Sequence, residues 1–266
     1  MERCHMTDVS SANETKASPR RDFVLRIETT RDPEELTTQL TRFEPWGHRI
    51  DFSNGVSTTD LKRRTPFSEN TVQKAALSLD RMSLDTMRGE RLLDIGCNSG
   101  YNSIYAATQY GLVPTGIDVS RRHIEVSEML SKMSDVEATF KLGNAETYLE
   151  EGQFQVVLHF GTLYHLPNPL LSLQSAFDNL KPGGWLALET QIYEGSDPNE
   201  CYFMHMHNND PTNFWALSSS VLKSYMEFIG FTEVEEILRV TPKILEKDGM
   251  HRTISLAKKP LTEPAS

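Results

Sequence analysis

From residue 91 onward, short apolar runs alternate with segments whose apolar residues recur at helical spacing. This alternation constrains the fold more than any other feature of the sequence. Val126, Met129, Leu130 and Met133 give one helical stripe, at positions i, i+3, i+4 and i+7. Strands separated by helices predict a parallel sheet, because parallel neighbours need a crossover connection. The predicted parallel strands lie in the runs RLLDIG, LVPTGIDVS, ATFKLGNAE, FQVVLHFG and WLALET.

Two further apolar runs close the sequence, FTEVEEILRV and HRTISLAKK. The connection between them is shorter than a crossover requires, so they predict an antiparallel edge on the same sheet. The predicted fold class is therefore α/β, with a seven-stranded and mostly parallel sheet.

The alternation begins only after a long N-terminal region, which divides the chain into parts. Residues 1–20 are polar and charged with almost no large apolar groups, so we expect a disordered tail there. Residues 21–85 are expected to form an N-terminal helical lid or extension, with Pro33 in the first turn of a helix. Residues 86–266 are expected to form the core, with an insertion at about 191–216 between the fifth strand and the next helix.

Composition excludes several classes of protein. The chain has 27 Lys and Arg against 37 Asp and Glu, and this net charge of −10 argues against a generic nucleic-acid binder while leaving a local basic patch open. Cys4, Cys97 and Cys201 cannot form a closed disulfide framework. The N-terminus lacks a signal-peptide core, and no apolar run approaches the ~20 residues of a membrane span. We therefore expect a cytoplasmic protein with no membrane partner.

The most informative segment is the turn after the first core strand, LDIGCNSG at 93–100. Glycines at 96 and 100 let the backbone turn tightly and approach a ligand, at the carboxyl end of a strand where α/β sheets bind ligands. The spacing is not the G-x-G-x-x-G of dinucleotide sites, because position 98 is Asn and Asp94 lies in the turn. A carboxylate there would repel a pyrophosphate but would suit a cationic amino-acid moiety.

Polar residues follow the next two strands as well. Asp118 ends the second strand, where an acid can accept both hydroxyls of a ribose. Asn144 follows the third strand and could contact an adenine edge. A ligand with an ammonium, a ribose and an adenine but no phosphate is S-adenosyl-L-methionine.

With these residues in place, the sequence resembles the class I S-adenosylmethionine-dependent methyltransferases over residues 86–259. The matching segments are LLDIGCNSG, the second-strand acid, the Asn-Ala pair, FGT at 160–162 and LKPGGWLALET. The resemblance implies a Rossmann-like core and S-adenosyl-L-methionine as cofactor. The residues predicted to bind the cofactor are Asp94, Gly96, Cys97, Asn98, Gly100, Asp118, Val119, Asn144, Ala145, Phe160 and Gly161.

A narrower similarity lies in FGTLYHLPNPLLSL, HRTISLAKKP and FEPWGHRIDF. These segments resemble a subgroup that includes the wobble-uridine carboxymethyltransferases of tRNA. The resemblance implies that Tyr164 and Arg252 help to hold the carboxylate of a carboxylated cofactor, together with an upstream lysine. Lys62 is the nearest candidate for that lysine but is out of register, and most of that subgroup's basic N-terminal region has no counterpart here.

The remaining polar residues suggest roles at the acceptor. His165 follows the fourth strand and is the predicted general base, while Tyr164 is predicted to orient the acceptor or the cofactor. Cys97 has no basic neighbour in the sequence, so a small packing residue is favoured over a nucleophile. His205 and His207 lie on the insertion, and with Asp210 they could form a metal site. We prefer the alternative that the two histidines contact the substrate, and we predict no metal. The residues predicted to bind substrate are Trp46, His48, His205, His207 and Arg252.

The sequence thus predicts a methyltransferase that acts on an oxygen or nitrogen of a small-molecule acceptor, a metabolite or natural product. The alternative is methyl or carboxymethyl transfer to the wobble uridine of tRNA, from S-adenosylmethionine or its carboxylated form. A third hypothesis is a non-catalytic cofactor-binding or partner-binding domain, which the intact motifs disfavour. The N-terminal helices could form a lid or a dimer surface, so a homodimer is left open.

Overall fold

A computed structural model describes residues 23–62, 72–82, 87–206, 210–241, 245 and 249–261. Its strands are β1 (Leu25–Ile27), β2 (Ile50–Phe52), β3 (Arg91–Ile95), β4 (Val113–Asp118), β5 (Thr139–Leu142), β6 (Phe154–Phe160), β7 (Leu180–Tyr193), β8 (Cys201–Phe203), β9 (Trp215–Leu217), β10 (Thr232–Val240) and β11 (Met250–Lys258). Its helices are α1 (Pro33–Thr41), α2 (Gln73–Asp80), α3 (Tyr101–Tyr110), α4 (Arg121–Ser134), α5 (Pro169–Asn179) and α6 (Ser219–Ile229).

The main sheet has the order β10-β11-β7-β6-β3-β4-β5. β5, β4, β3, β6 and β7 run parallel, and β11 is antiparallel to both β7 and β10. The predicted α/β fold, with a mostly parallel sheet of seven strands and an antiparallel edge, is therefore confirmed. β8 and β9, three residues each, add a short extension beside β7 from within the predicted insertion.

The chain order reverses at the centre of this sheet. β3 leads outward through β4 to β5 on one side, while β6 lies on the other side of β3. Such a switch point leaves a crevice at the carboxyl ends of the strands, where ligands of open α/β sheets bind. The crevice here lies between the ends of β3 and β6.

The N-terminal part packs onto the sheet rather than standing apart from it. Leu36, Leu40 and Trp46 belong to the same buried cluster as Leu92 and Ile104. Pro33 opens α1 as predicted, and the helix is capped by the Asp32 carboxylate, which accepts hydrogen bonds from the next two amides. This region also contains a parallel pair, β1 and β2. A single apolar core therefore joins the extension to the sheet.

The helix α2 follows Val72, and Val72, Ala76 and Leu79 are buried on one face. Within the described residues, no helix combines the length and the apolar character that crossing a bilayer would require.

Candidate active site

The turn after β3 is shaped by two glycines in the left-handed region. Gly96 has φ +70° and Gly100 has φ +72°. A Cβ atom on Gly96 would collide with the Thr162 side chain, and one on Gly100 would lie 2.8 Å from the Phe140 ring. The Thr162 hydroxyl donates a hydrogen bond to the carbonyl of Ile95 at the end of β3. This hydrogen bond holds the Thr162 side chain against the turn. The glycines predicted from the motif are thus required by backbone angle and by space.

Asp94 is buried under this turn with one hydroxyl partner. Its carboxylate is 1 % exposed and accepts a 2.7 Å hydrogen bond from Ser103 on α3. Burial raises the pKa of Asp94 to about 6, because the Ser103 hydrogen bond only partly offsets the loss of solvation. A cationic group placed beside this carboxylate would restore its ionised form.

Asp118, at the end of β4, is held ready as an ionised acceptor. It accepts hydrogen bonds from the amides of Asn98, at 3.0 Å, and Ser120, at 2.8 Å. Burial acts to raise its pKa, but the His123 imidazole, whose Nδ1 lies 3.1 Å from the carboxylate, and those amides outweigh it, so the pKa is lowered. The next residue, Val119, has a 77 % exposed side chain at the same edge. An acid and an apolar surface are thus adjacent, as a ribose and an adenine would require.

The turn after β5 completes this edge. The Gly143 amide donates to the carbonyl of Asp118, and Asn144 is exposed with its side-chain oxygen accepting from the Glu146 amide. Ala145 is buried in the core. The predicted cofactor residues on β3, β4 and β5 therefore lie along one continuous edge.

Cys97 and Ser99 are both buried inside the turn after β3. Cys97 is 3 % exposed, and burial raises the pKa of its thiol well above the usual range, so it stays protonated and packs against Phe140. The hydroxyl of Ser99 is buried, with no hydrogen-bond partner in the described part of the chain. The carboxylate of an amino-acid moiety would satisfy Ser99. This buried orphan hydroxyl, which the motif did not single out, is the observation that tests the fit of S-adenosyl-L-methionine.

A charge cluster around one buried carboxylate lies on the other side of the crevice, where β6 ends at Phe160 and Gly161 follows. Glu189 on β7 is 2 % exposed and accepts two hydrogen bonds from the Arg252 guanidinium, at 2.6 and 2.8 Å. Lys74 Nζ on α2 lies 2.9 Å from the same carboxylate. A Cβ atom on Gly161 would be 3.7 Å from both Arg252 and Glu189. We call Lys74, Glu189 and Arg252 the charge cluster.

The charge cluster sets two basic side chains against one carboxylate. Burial alone would raise the pKa of Glu189, but Arg252 and Lys74 outweigh it and hold that pKa at about 2. Burial lowers the pKa of Lys74, and the neighbouring Glu189 carboxylate acts against that shift. Tyr164 adjoins the cluster, with the Arg252 guanidinium carbon 4.8 Å from its ring centroid.

The lysine at this cluster is not the one that the sequence suggested. Lys62 is exposed, and it is Lys74 that contacts Glu189. Sequence reasoning missed Lys74 and Glu189. The available signal was an acid inside the buried run WLALET, facing an arginine on the adjacent strand: Arg252 pairs with Gln191, two residues from Glu189 on the same face.

The turn that carries Tyr164 and His165, Leu163–His165, follows β6. The insertion is fastened to this turn, because the Phe214 amide donates to the carbonyl of Tyr164 and the Trp215 indole donates to that of Pro167. The ring centroids of Tyr164 and His165 are 4.1 Å apart. The predicted base thus lies beside the crevice and under the insertion.

The residues predicted to bind substrate do not lie together in one place, unlike those predicted to bind the cofactor. Trp46 is buried, and its indole donates to the carbonyl of Leu40, so it belongs to the core of the extension. His48 stacks on Tyr101, the first residue of α3, at 4.4 Å. His205 is exposed near Phe203 and Phe214 on the insertion, and His207 lies outside the described residues. No group of three potential metal ligands is found among the residues described.

Comparison with known proteins supplies the family. A family model described as a methyltransferase domain matches residues 67–236, more than half of the chain. The tRNA U34 carboxymethyltransferase of Desulfotalea psychrophila is 32 % identical over 155 residues, which cover 57 % of this chain and 48 % of that protein. The O-methyltransferase resE of Aspergillus sclerotiorum is 24 % identical over 195 residues, which cover 70 % and 74 %. The chain spans about half the length of several curated relatives that it matches.

Among solved structures, the N-terminal domain of EvdMO1, determined in the presence of SAH and D-fucose, is similar in fold. The TM-score is 0.67 with 18 % identity, covering 86 % of this chain and 97 % of that one. This likeness agrees with the Rossmann-like core. The chain belongs to the methyltransferase domain family, as a class I S-adenosylmethionine-dependent enzyme related to the tRNA U34 carboxymethyltransferases.

Proposed function

We propose that this chain transfers a methyl group from S-adenosyl-L-methionine to an oxygen or nitrogen of a small-molecule acceptor. The observation that carries the proposal is the placement of an imidazole, His165, beside the crevice at the end of β6 and under the insertion. An acceptor hydroxyl or ammonium needs a base to expose its lone pair. The net charge of −10 supports a small acceptor over a polyanion.

The bound cofactor supplies a methyl group on a sulfonium, which is an activated leaving group. The residues of this chain would bind the cofactor and orient the acceptor towards its methyl group. Asp94 would pair with the ammonium, Ser99 would donate to the carboxylate, and Asp118 would accept from the ribose hydroxyls. His165 would accept the proton that the acceptor loses, and the insertion would keep water from the methyl group.

Isothermal titration calorimetry with S-adenosyl-L-methionine tests the cofactor half of this proposal. Binding should be weakened more than tenfold by Asp118→Ala, because the ribose loses its acceptor. Asp60→Ala is a matched control, since Asp60 is an exposed aspartate on the N-terminal extension. The acceptor half is tested by measuring S-adenosylhomocysteine release with a panel of hydroxylated, amino and carboxylic metabolites. Absence of binding by the wild-type protein would refute the proposal.

Carboxymethyl transfer to tRNA is the second candidate, and the charge cluster favours it. The Arg252 guanidinium and the Tyr164 hydroxyl, 3.7 and 3.9 Å from the Gly161 Cβ position, would suit a carboxylate on the transferred group. Relatives named tRNA U34 carboxymethyltransferase support the same candidate. Mass spectrometry of the cofactor retained by the purified protein, with a gel shift of tRNA at low salt, separates the two. A carboxylated cofactor together with salt-sensitive tRNA binding would replace our first proposal.

A further inference from the structure

We infer that Thr212 and Asp210, on the insertion, are positioning residues that hold His165 with its proton on Nδ1 and its Nε2 lone pair free. The inference deepens the proposed function and rests on it for the use of that lone pair as a base. The hydrogen bonds themselves stand independently of any acceptor.

The three side chains form a chain of hydrogen bonds with a defined direction. His165 Nδ1 lies 2.9 Å from Thr212 Oγ1, and Thr212 Oγ1 lies 2.6 Å from Asp210 Oδ1. The Thr212 amide also donates to the same carboxylate oxygen, at 2.8 Å. An ionised carboxylate only accepts, so the single hydroxyl hydrogen of Thr212 points to Asp210. Thr212 Oγ1 can then only accept from the imidazole.

The backbone of Thr212 imposes the same requirement. Its carbonyl oxygen lies 3.3 Å from His165 Nδ1, and a carbonyl can only accept. Both oxygens that face Nδ1 therefore require it to carry a hydrogen. Since a neutral imidazole has one N–H, its Nε2 is left with a lone pair.

The charged groups around His165 agree with a neutral ring. Burial lowers the pKa of His165 most, the nearby Arg252 lowers it further, and Asp210 acts to raise it, with a lowered pKa as the result. The Tyr164 ring covers one side of the imidazole. A neutral ring whose orientation is fixed by two acceptors is the arrangement that a general base needs at neutral pH.

The insertion is the element that supplies these acceptors. Its attachment at the carbonyls of Tyr164 and Pro167 keeps Thr212 in register with the turn after β6. The same loop that would cover the acceptor would therefore also set the tautomer of the base. Loss of the loop's geometry should change both together.

Histidine-selected ¹⁵N NMR of the full chain tests the tautomer without any acceptor. His165→Gln identifies the His165 resonances by their disappearance. In the wild-type protein above the histidine pKa, Nδ1 should show the shift of a protonated nitrogen and Nε2 that of an unprotonated one. The opposite assignment would overturn the inference, whatever the variants do.

Variants separate the hydrogen bond from the charge. Asp210→Ala frees the Thr212 hydroxyl hydrogen to point at Nδ1, while the Thr212 carbonyl still requires a hydrogen there, so the Nε2-protonated form should become detectable as a minor population. Asp210→Asn keeps an acceptor oxygen but removes the charge, so the tautomer should persist while the His165 pKa falls. Asp197→Ala is the matched control, because Asp197 forms a similar turn with the amide of Asn199 on the insertion.

The result is distinguishable from a failure of the proposed function. Titration with S-adenosyl-L-methionine should give the same affinity for the wild-type and Asp210 variants, since Asp210 lies on the insertion whereas Asp94 and Asp118 lie on β3 and β4. Absence of cofactor binding would refute the proposed function and leave the tautomer measurement valid. An unchanged His165 spectrum in Asp210→Ala, or an equal response in Asp197→Ala, would refute the positioning role of Asp210.

Discussion

Replacing Glu189 by glutamine tests the charge cluster by its contribution to folding stability. The variant removes the one carboxylate shared by Arg252 and Lys74. The Lys74 side chain is 42 % exposed and can turn toward solvent, whereas that of Arg252 is only 20 % exposed. Breaking a buried ion pair from one side costs ~3–5 kcal/mol, because the remaining charge stays buried without a partner. Because Lys74 can turn toward solvent, we expect Glu189→Gln to lower the free energy of unfolding by about 3 kcal/mol, the lower end of that range.

Thermal unfolding measures this loss. In a domain of this size, each kcal/mol lowers Tm by roughly 2–4 °C, so Glu189→Gln should lower Tm by about 6–12 °C. Glu235→Gln is the matched control, because Glu235 lies 3.4 Å from Arg81 and both side chains are more than half exposed. An exposed pair contributes ~0–1 kcal/mol, so the control should change Tm by only a few degrees. Similar values of Tm for the two variants would refute the buried cluster.

The pH dependence of the unfolding free energy provides a second test of the Glu189 carboxylate. The pKa of Glu189 is depressed from 4.5 to about 2 in the folded chain. A depressed carboxyl pKa stabilises the fold above the unfolded value and loses that contribution as pH falls through the folded value. The difference in unfolding free energy between wild type and Glu189→Gln should therefore be constant above about pH 5 and shrink as pH falls from 4.5 toward 2. A difference that grows on acidification would contradict the assignment.

Three further predictions concern the cofactor turn. Because the pKa of Asp94 is about 6 and a bound ammonium favours the ionised form, the affinity for S-adenosyl-L-methionine should fall as pH drops through 6; calorimetry that finds no change between pH 8 and 5 would contradict this. Gly96→Ala should abolish cofactor binding through its φ of +70° and the collision of its Cβ, whereas Gly47→Ala, with open space around it, should bind normally. Iodoacetamide should alkylate exposed Cys201 and leave buried Cys97 unmodified in the folded protein, as peptide mass spectrometry can verify; rapid modification of Cys97 would show that the turn opens.

Much of the fold could be predicted because its signals are local. The apolar stripe around Val126 and the buried runs of β3 and β6 each specify an element within a few residues. The antiparallel edge followed from connection length alone. β1, β8 and β9 escaped prediction because strands of three residues are too short for periodicity to register. Their pairing depends on the sheet or strand that they meet.

The site divides in the same way. The cofactor turn is encoded in consecutive residues, since Gly96 and Asp94 act through backbone angle and position at one strand end. The charge cluster joins α2, β7 and β11, which are distant in sequence. Only the antiparallel register of β7 and β11 brings Glu189 beside Arg252, and only the packing of the extension adds Lys74. His165 and Thr212 are also distant in sequence, so the sequence did not predict their hydrogen bond.

The charge of the cluster gives the two candidate donors opposite electrostatic consequences. The sulfonium of S-adenosyl-L-methionine is cationic, so the Arg252 guanidinium beside Gly161 opposes its binding, and the Glu189 carboxylate limits that repulsion. A donor that carries a carboxylate on the transferred carbon would instead be attracted by the same cluster. Arg252→Met should therefore leave the affinity for S-adenosyl-L-methionine unchanged or raise it, and should lower the affinity for a carboxylated donor. The sign of that change, measured by calorimetry with both compounds, indicates which donor the cluster serves.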